Sequence, residues 1–339
     1  MKVSVVVTVR NEERTIDGLI ETLLAQTRVP DEVVIADGGS TDRTVAMIHR
    51  WIQEDRSIRL LSCPGANIAA GRNRAIEAAT GDIIACTDAG VRLDRHWLER
   101  IVRPFENGDH VSMGFFIADP HNGFERALGA TTLPDVAEVD PERFIPSSRS
   151  IAYRREAWET VGGYPEWLDY CEDVVFDLAL RRAGFRFAWV PDAVAYFRPR
   201  TSTRAFFRQY YLYARGDGKA NLWPRRHLIR YLTYLCGPLV FIAGFCYKPA
   251  WLALIGGAGL YLYLPYRRYV RGLTANSAPT RTVRGADGGL PIKDESRVGT
   301  TEVAVWLLIP ALRFLGDLAK MIGYPVGVWW RVRREAKRG

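Results

Sequence analysis

The first half of the chain alternates short apolar runs with segments whose apolar residues recur at helical spacing. Val3–Val9 is a β-branched run, and in the following segment, Ile16–Leu24, the apolar residues lie three and four positions apart. The same alternation returns at residues 32–36 and 44–52, and another strand-like run lies at residues 58–61. Strands and helices in this order predict an α/β fold in which helices cover a mainly parallel sheet.

Carboxylates stand directly after two of the predicted strands. Asp37 follows the second strand, and a further apolar run at residues 82–87 ends at Asp88. In open α/β sheets, ligands bind beyond the carboxyl ends of the strands. Both side chains are therefore expected at a place where a ligand is held.

The middle of the chain contains a segment without a periodic pattern and then one with helical periodicity. Residues 113–150 mix glycine, proline and isolated charges without a clear period, which predicts an irregular segment. From Tyr170 to Gly184 the apolar residues return at helical spacing, and Glu172 and Asp173 lie at the start of that helix. Carboxylates at this position are stabilised by the helix dipole, so the pair has a structural explanation as well as a chemical one.

Two long apolar runs follow in the last third of the chain. Tyr231–Tyr247 has 17 residues and Pro249–Tyr266 has 18, all without a charge. A helix of roughly 17–25 apolar residues crosses a hydrocarbon core. Arginines flank the outer ends of both runs, whereas only Lys248 lies between them, and the positive-inside rule then puts both outer ends in the cytoplasm. We predict two transmembrane helices within residues 228–270, with a buried hairpin of a soluble domain as the alternative.

The segments after these runs differ from each other in composition. Residues 271–300 are polar and rich in glycine, threonine, arginine and aspartate, which predicts a flexible loop. In the apolar stretch within residues 301–339, Arg313, Asp317 and Lys320 fall on one helical face. We predict an interfacial amphipathic helix, which would keep the basic tail in the cytoplasm. A third transmembrane segment is the alternative.

Composition narrows the classes of function. The net charge of +8 is concentrated around the apolar runs, and no zinc, helix-turn-helix or RNA-binding signature accompanies it. We therefore predict a membrane partner and no nucleic acid. The five cysteines are scattered, without metal-ligand spacing, which indicates a reducing compartment. Because the first residues contain no long apolar signal segment, the first domain is expected to be cytoplasmic.

Four motifs fall in order along the chain. They are VSVVVTVRNE at residues 3–12, ADGGSTD at 36–42, TDAG at 87–90, and the Glu172-Asp173 pair. Together they resemble the family 2 glycosyltransferases. The resemblance implies a GT-A fold, which is a nucleotide-binding, Rossmann-like mixed sheet, and it predicts a GT-A domain over residues 1–222.

The resemblance also implies a binding site for a nucleotide-sugar donor. Arg72 lies in the segment GRNR after the third strand, and its planar guanidinium suits a diphosphate, whereas Arg74 is expected to face solvent. Thr8 and Glu12 have helix capping and first-turn stabilisation as structural alternatives. The segment around Arg215 matches the family's Gln-x-x-Arg-Trp motif only loosely, which argues against a processive synthase. The predicted donor contacts are Thr8, Arg10, Glu12, Asp37, Arg72, Asp88 and Arg215.

The metal-binding motif of the family is present only in part. Asp88 corresponds to the first acid of the Asp-x-Asp motif, which holds the donor diphosphate through a divalent metal. Gly90 replaces the second acid, and Gly38 replaces the second acid of the pair after the second strand. Since carboxylate and phosphate oxygens suit Mg²⁺ or Mn²⁺, we predict that one of these ions is bound through Asp88.

The Glu-Asp pair carries the predicted chemistry. By resemblance, Asp173 is the general base that removes the proton of the acceptor hydroxyl, and Glu172 lies beside it. The prediction is an inverting hexosyltransferase of the cell membrane, with two or more transmembrane helices and a cytoplasmic catalytic domain. The membrane segments suggest a polyprenyl-linked or other lipid-linked acceptor in cell-envelope or exopolysaccharide synthesis. The alternatives are a catalytically inactive nucleotide-sugar-binding membrane protein and a nucleotidyltransferase, which the lack of a glycine-rich, lysine-containing phosphate loop disfavours.

Overall fold

The structure is a computed structural model that describes residues 1–277 and 302–336. The chain divides into two compact units. The first consists of Met1–Ile117 and Val136–Arg198, and the second of Ala118–Asp135 and the chain from Pro199 onward. The division after Arg198 precedes the predicted domain boundary at residue 222, because the helix that follows packs on the last helix of the chain. Where the catalytic domain ends in function stays a prediction.

In the described part of the chain, eight strands form one mixed sheet in the order β3-β2-β1-β4-β7-β6-β8-β5. Strand β1 runs parallel to β2 and β4, and β2 runs parallel to β3. Strand β7 is antiparallel to both β4 and β6, and β5 is antiparallel to β8. This is the mixed sheet that the family resemblance implied. The strands are β1 (Val3–Val9), β2 (Glu32–Asp37), β3 (Ile58–Ser62), β4 (Ile83–Asp88), β5 (Val91–Leu93), β6 (Val111–Ala118), β7 (Ile151–Arg154) and β8 (Phe187–Phe197).

Helices cover both faces of the sheet, so its central strands are buried on both sides. The valines of β1 show this directly: Val5 and Val7 belong to one core cluster and Val6 to the other. The first cluster includes side chains of α1, α2 and α4, and the second includes side chains of α3, α6 and α7. These helices are α1 (Ile16–Leu24), α2 (Thr44–Glu54), α3 (Ile68–Ala78), α4 (Trp97–Val102), α6 (Arg155–Val161) and α7 (Glu172–Arg182).

The segment 113–150, predicted to be irregular, contains regular structure. Strand β6 extends to Ala118, and helix α5 (Gly123–Thr132) follows it. The strand was missed because its first five residues are all buried and therefore show no alternation. The helix begins at an asparagine cap, where the Asn122 Oδ1 accepts from the Glu125 backbone N–H at 2.9 Å. Helix α5 contains glycines and threonines, which are poor helix formers, so helix propensity does not indicate it.

In the second unit, both predicted apolar runs form helices. They are α9 (Pro224–Cys246) and α10 (Pro249–Ser277), and they pack antiparallel to each other. The hydroxyls of Tyr234 and Tyr261 lie 2.9 Å apart, and a Cβ at Gly244 would touch the Trp251 ring. Residues 271–277, predicted to begin a flexible loop, continue α10. The rest of that predicted loop, residues 278–300, lies outside the described residues, as do residue 301 and the last residues of the basic tail, 337–339.

Helices α8 (Thr203–Lys219) and α11 (Glu302–Glu335) meet with their backbones in contact. A Cβ at Gly323 would lie 2.2 Å from the Tyr211 carbonyl oxygen, and one at Gly327 would lie 2.1 Å from that of Arg215. From the opposite side, a Cβ at Gly218 would lie 2.3 Å from the Tyr324 carbonyl oxygen. Glycines four residues apart allow this close approach, as they do in membrane helix pairs. We call this contact the glycine seam.

The polar face of α11, which carries Arg313, Asp317 and Lys320, packs against other helices of the second unit, and the predicted interfacial position of the helix stays a prediction. Asp317 is buried, and its Oδ1 accepts from the Arg230 Nε at 2.8 Å. The exposed side of the helix is apolar instead, with Leu307 at 70% and Phe314 at 51% exposure. Its charged side chains have partners inside the unit, because Asp317 pairs with Arg230 of α9 whereas Arg313 and Lys320 lie over the rings of Tyr261 and Tyr210. An inside-out distribution of this kind is typical of helices whose surroundings are apolar.

Only α9, among the helices of residues 1–277 and 302–336, is both long and apolar enough to cross a membrane by the measure of length and composition. Helix α10 does not meet that measure. A single such helix is weak evidence, because a core helix of a soluble protein can also meet it. The apolar side chains of α9 are nevertheless exposed rather than packed in a core, as Leu235 at 65% and Phe245 at 72% show.

Candidate active site

Arg72 connects three predicted site residues that lie far apart in the sequence. Its Nη1 donates to the Glu172 Oε1 at 3.1 Å, and its Nη2 donates to the Asp88 Oδ1 at 3.3 Å. Only 2% of the Arg72 side chain is exposed. One guanidinium from α3 thus holds the start of α7 beside the end of β4.

Aromatic packing fixes the position of this guanidinium. Arg72 lies over the Tyr164 ring, 4.8 Å from its centroid, and Tyr164 stacks on Phe176 of α7 at 4.1 Å. The backbone N–H of Tyr164 donates to the Asn73 Oδ1 at 2.9 Å. The preceding Gly163 has φ +74°, and a Cβ there would lie 2.8 Å from the same oxygen. The Gly-Gly-Tyr-Pro segment therefore positions Arg72 through its ring.

Sequence analysis missed Arg149. Its Nε lies 3.4 Å from the Asp88 Oδ2, and its guanidinium stacks over the Phe197 ring at 4.7 Å. The Thr87 Oγ1 donates to the Arg149 carbonyl oxygen at 3.0 Å, which holds this segment at the end of β4. No motif in the sequence marks the residue. Both oxygens of Asp88 therefore face an arginine.

The Glu172-Asp173 pair lies at the start of α7 with its two carboxylates in different surroundings. Glu172 is buried against Arg72, and burial, together with the Asp173 charge, raises its pKa to about 7 despite the opposing guanidinium. Asp173 is partly exposed, and its Oδ1 accepts from the Val174 backbone N–H at 2.8 Å. Burial raises its pKa also, against the charge of Arg72. Asp173 is thus the member of the pair that a substrate can reach.

Two further features of α7 were not anticipated. Cys171, the residue before the pair, has φ +65°, a left-handed conformation that is costly for a residue other than glycine. One turn beyond Asp173, Asp177 is buried, and its Oδ2 has no hydrogen-bond partner among the described residues. Burial and the Asp173 charge raise the pKa of Asp177 well above its usual range.

The other predicted donor contacts gather at one edge of the sheet. Thr8 is in register with Asp88 on one side and with Ala36, the neighbour of Asp37, on the other. Asp37 is buried, and its carboxylate accepts from the Ser40 backbone N–H at 3.0 Å and from the Ser40 hydroxyl at 2.6 Å. The carboxylate thus stabilises the turn after β2, and its contact with a base stays a prediction.

The remaining predicted contacts differ in their surroundings. Arg10 is exposed, and the Glu12 Oε2 accepts from the Thr15 hydroxyl at 2.6 Å just before α1. Arg74 is exposed, whereas Arg72 is buried. Arg215 lies on α8 in the second unit. The structure therefore leaves the roles of Arg10, Glu12 and Arg215 in donor binding as predictions.

The surroundings of the two glycines in the incomplete acidic motifs are different. A Cβ at Gly38 would lie 3.2 Å from the Ala66 carbonyl oxygen, so a larger residue there is crowded by backbone. A Cβ at Gly90 would have no atom within 4 Å. No group of three metal-ligating side chains occurs within residues 1–277 and 302–336. Asp88 is the one acid of the motif that is present, and both of its oxygens face arginines, so a metal held here would take most of its ligands from phosphates and water, as Mg²⁺ does at many phosphate sites.

The chain is similar to known proteins in sequence and in fold. The family model of glycosyl transferase family 2 matches residues 4–162. The chain is 30% identical to the succinoglycan biosynthesis protein ExoA of Rhizobium meliloti (strain 1021), over 65% of this chain and 70% of that protein. It is 32% identical to the uncharacterized glycosyltransferase alr2836 of Nostoc sp. (strain PCC 7120), over 48% of this chain and 53% of that protein.

Among solved structures, the mannosyltransferase PcManGT from Pyrobaculum calidifontis, in complex with GDP-Man and Mn²⁺, is similar with a TM-score of 0.55. It shares 19% identity, and the match covers 97% of this chain and 87% of that one, so the likeness concerns the fold. The family match includes the segments that contain Thr8, Asp37, Arg72 and Asp88, and it ends before the Glu172-Asp173 pair. The chain belongs to glycosyl transferase family 2 and is a glycosyltransferase.

Proposed function

We propose that the protein transfers a sugar from a nucleotide-sugar to a lipid-linked acceptor, with inversion at the anomeric carbon. The observation that carries this proposal is the Arg72 bridge, which holds the Glu172-Asp173 pair beside Asp88. A candidate base and a candidate phosphate-side carboxylate are thereby fixed relative to each other. PcManGT, which has a similar fold, was solved with GDP-Man, and this supports a nucleotide-sugar donor.

In the proposed reaction, the partly exposed Asp173 accepts the proton of the acceptor hydroxyl. The acceptor oxygen attacks the anomeric carbon from the face opposite the phosphate, the bond from that carbon to the phosphate oxygen breaks, and the nucleoside diphosphate leaves. A raised pKa makes Asp173 a stronger base than an ordinary aspartate. Arg149 lies beside Asp88, where a cation stabilises negative charge on the leaving diphosphate. Arg72 acts mainly by holding the two carboxylates in position.

We further propose that Asp88 is the single protein ligand of a bound Mg²⁺ or Mn²⁺. An ion there would supply positive charge to the diphosphate of the donor, in addition to Arg149. Mn²⁺ in the PcManGT complex supports this assignment. Because Gly90 provides no second carboxylate, we expect the ion to bind weakly in the absence of donor.

Gly90→Asp restores the second acid of the motif and should make the protein bind the metal ion more tightly. The position is open, so an aspartate fits without displacing a neighbour. We expect half-maximal activity at a lower Mn²⁺ concentration than in the wild type, measured by titrating the ion into chelator-treated protein. Gly90→Asn is the matched control, since it has the same shape without the charge. Full wild-type turnover in excess chelator would contradict the metal proposal.

We propose that α9 and α10 span the membrane as a hairpin, so that the enzyme is multi-pass. The support is their unburied apolar surface: Leu260 of α10 is 80% exposed and Phe245 of α9 is 72% exposed. Isolated exposed apolar residues are ordinary in soluble proteins, but continuous apolar helix surfaces indicate a membrane or a partner. A membrane location favours an acceptor carried on a lipid. ExoA, a relative that acts in succinoglycan biosynthesis by its name, supports a role in exopolysaccharide or cell-envelope glycan synthesis.

The topology can be tested with reporter fusions. We expect a reporter inserted at Lys248 to lie outside the cytoplasm, and reporters before Pro224 or at the C-terminus to lie inside it, because arginines flank the outer helix ends. Alkaline phosphatase and green fluorescent protein fusions give opposite signals on the two sides. A C-terminus outside the cell would reject this arrangement.

The proposed function predicts both donor binding and turnover. We expect one member of a panel of nucleotide-sugars to raise the thermal midpoint of the purified full-length protein, because a ligand that binds the folded state stabilises it. The same donor should then be consumed when membrane lipid extract is added as acceptor. A donor that binds but is neither transferred nor hydrolysed would instead indicate the inactive binding protein.

A further inference from the structure

A small cavity of about 60 Å³ lies within the second unit, between α5, α8 and α11. Its volume exceeds the roughly 10–15 Å³ that a single water molecule needs. The polar side chains that line it include Thr131, Thr132, Tyr210, Arg313, Asp317 and Lys320. Two of the three charged groups are cationic, so the cavity is suited to an anion.

The one carboxylate in this cavity is already engaged by other groups. Asp317 accepts from the Arg230 Nε at 2.8 Å, and the hydroxyl of Tyr261 donates to its other oxygen. The hydroxyl of Tyr234 lies 3.4 Å from that second oxygen. The Lys320 ammonium is farther from Asp317, at 3.6 Å. Arg230 and Lys320 both pair with the single carboxylate of Asp317, and Arg313 also lines the cavity, so positive charge is in excess around it.

The side chains of Arg313 and Lys320 are held in place by aromatic rings. Arg313 lies over the Tyr261 ring and Lys320 over the Tyr210 ring, each 4.8 Å from the centroid. The Nε of Arg313 is buried without a hydrogen-bond partner among the described residues. Arginine matches phosphate oxygens with its planar fork, and lysine adds a point charge. Excess buried positive charge is costly unless an anion accompanies it.

The surface beside the cavity indicates what kind of anion fits. Leu307 and Phe314 lie seven residues apart on the exposed apolar side of α11, and Phe314 directly follows Arg313, which lines the cavity. A molecule with an anionic group for the cavity and a hydrocarbon chain for this outer surface satisfies both features. A lipid phosphate has this chemistry, whereas a free sugar or a polynucleotide lacks the hydrocarbon part.

We propose that this cavity binds the phosphate group of a membrane lipid, and that this lipid is the polyprenyl carrier of the acceptor. The second part rests on the proposed function, which requires a lipid-linked acceptor. Arg313 and Lys320 bind the phosphate oxygens, and the isoprenoid chain lies along the apolar side of α11. Asp317 and Arg230 form the buried pair that positions the site.

The test measures binding of polyprenyl phosphate to the full-length protein in nonionic detergent by native mass spectrometry. We expect Arg313→Gln and Lys320→Gln each to weaken binding at least about tenfold, because each removes a charge-assisted contact with phosphate. Arg225→Gln is the matched control, since Arg225 is exposed at the start of α9 and outside the cavity. It removes the same charge and should leave binding within about twofold, because an exposed charge outside the cavity makes no contact with the phosphate. A tenfold loss with Arg225→Gln as well would overturn the assignment to the cavity.

Conservative variants and competitors complete the design. Arg313→Lys and Lys320→Arg keep the charge and should retain most of the binding, which separates loss of contact from loss of folding. Polyprenol without phosphate should bind at least about tenfold more weakly, because it lacks the charged contacts. Phosphatidylglycerol that competes as well as polyprenyl phosphate would overturn the acceptor assignment and leave a headgroup site. Equal binding by the wild type and both glutamine variants would overturn the site itself.

Failure here is distinguishable from failure of the proposed function. Binding of polyprenyl phosphate is measured without donor, and transfer of sugar is measured separately. If sugar reaches a lipid while both glutamine variants bind polyprenyl phosphate normally, the proposed function stands and this site is wrong. If polyprenyl phosphate binds at the cavity but no donor is consumed, the site stands and the catalytic proposal is wrong.

Discussion

Asp173→Asn should remove sugar transfer while leaving the fold and donor binding intact. The amide keeps the shape of the carboxylate but cannot accept the proton of the acceptor hydroxyl. General bases contribute about 10²- to 10⁴-fold to the rates of the reactions they catalyse, so the loss of turnover should be large. Initial rates of transfer, together with the thermal shift produced by the donor, measure the two properties in the same preparation.

Glu172→Gln is the control for Asp173→Asn, because the two residues are adjacent in α7. The pKa of Glu172 is raised to about 7, so this side chain is already protonated in part of the molecules at neutral pH. A glutamine resembles the protonated form and still accepts a hydrogen bond from Arg72. We therefore expect a smaller loss of transfer than with Asp173→Asn. The reverse order of effects would move the general base to Glu172, and no effect from either change would reject the mechanism.

Gly327→Ala and Gly323→Ala should destabilise the second unit, because they put a methyl group into the glycine seam. The added Cβ atoms would lie 2.1 and 2.2 Å from carbonyl oxygens of α8, which forces the two helices apart. Overpacking of this kind costs about 1–3 kcal/mol, and occasionally more. Thermal unfolding of the detergent-solubilised protein should show a lower midpoint for each variant.

Matched glycine variants on the neighbouring helix test whether the seam is responsible. Gly256 and Gly257 lie inside α10, and a Cβ at either position would have no atom within 4 Å. Alanine is the better helix former by up to about 1 kcal/mol, so these changes should be neutral or stabilising. If all four variants lowered the midpoint equally, the close packing of α8 and α11 would not explain the effect.

Much of the first unit could be predicted because local patterns and global structure agree there. The run Val3–Val9 is a strand with the predicted bounds, and Ile16–Leu24 is a helix with the predicted bounds. Burial on both faces allowed β1 to be entirely apolar apart from two hydroxyl residues. Asp88 was expected at a strand end, and the structure places it there, beside the register position of Thr8.

Other parts of the site depend on contacts that no local pattern records. Arg149 meets Asp88 because an irregular segment returns to the end of β4, and nothing in its neighbouring residues marks that return. The ion pairs of Arg72 with Glu172 and Asp88 also join residues that lie far apart in the sequence, so no local pattern indicates them. The periodicity of Arg313, Asp317 and Lys320 indicated a polar helix face but not whether that face meets solvent or packs against other helices. It packs against other helices, and one of its contacts there is with Arg230 of α9.

The glycine seam also has a consequence for the order of events during synthesis. The glycines of α11 that contact α8 are Gly323 and Gly327, so this contact cannot form until the ribosome has made the chain beyond residue 327. The first unit is complete at Arg198 and has no such dependence. Domains fold as units, with N-terminal ones first. During synthesis, the sheet of the first unit can therefore fold before α8 packs against α11. A chain that terminated after α10 would retain this sheet, but Gly218 of α8 would lack its contact with α11.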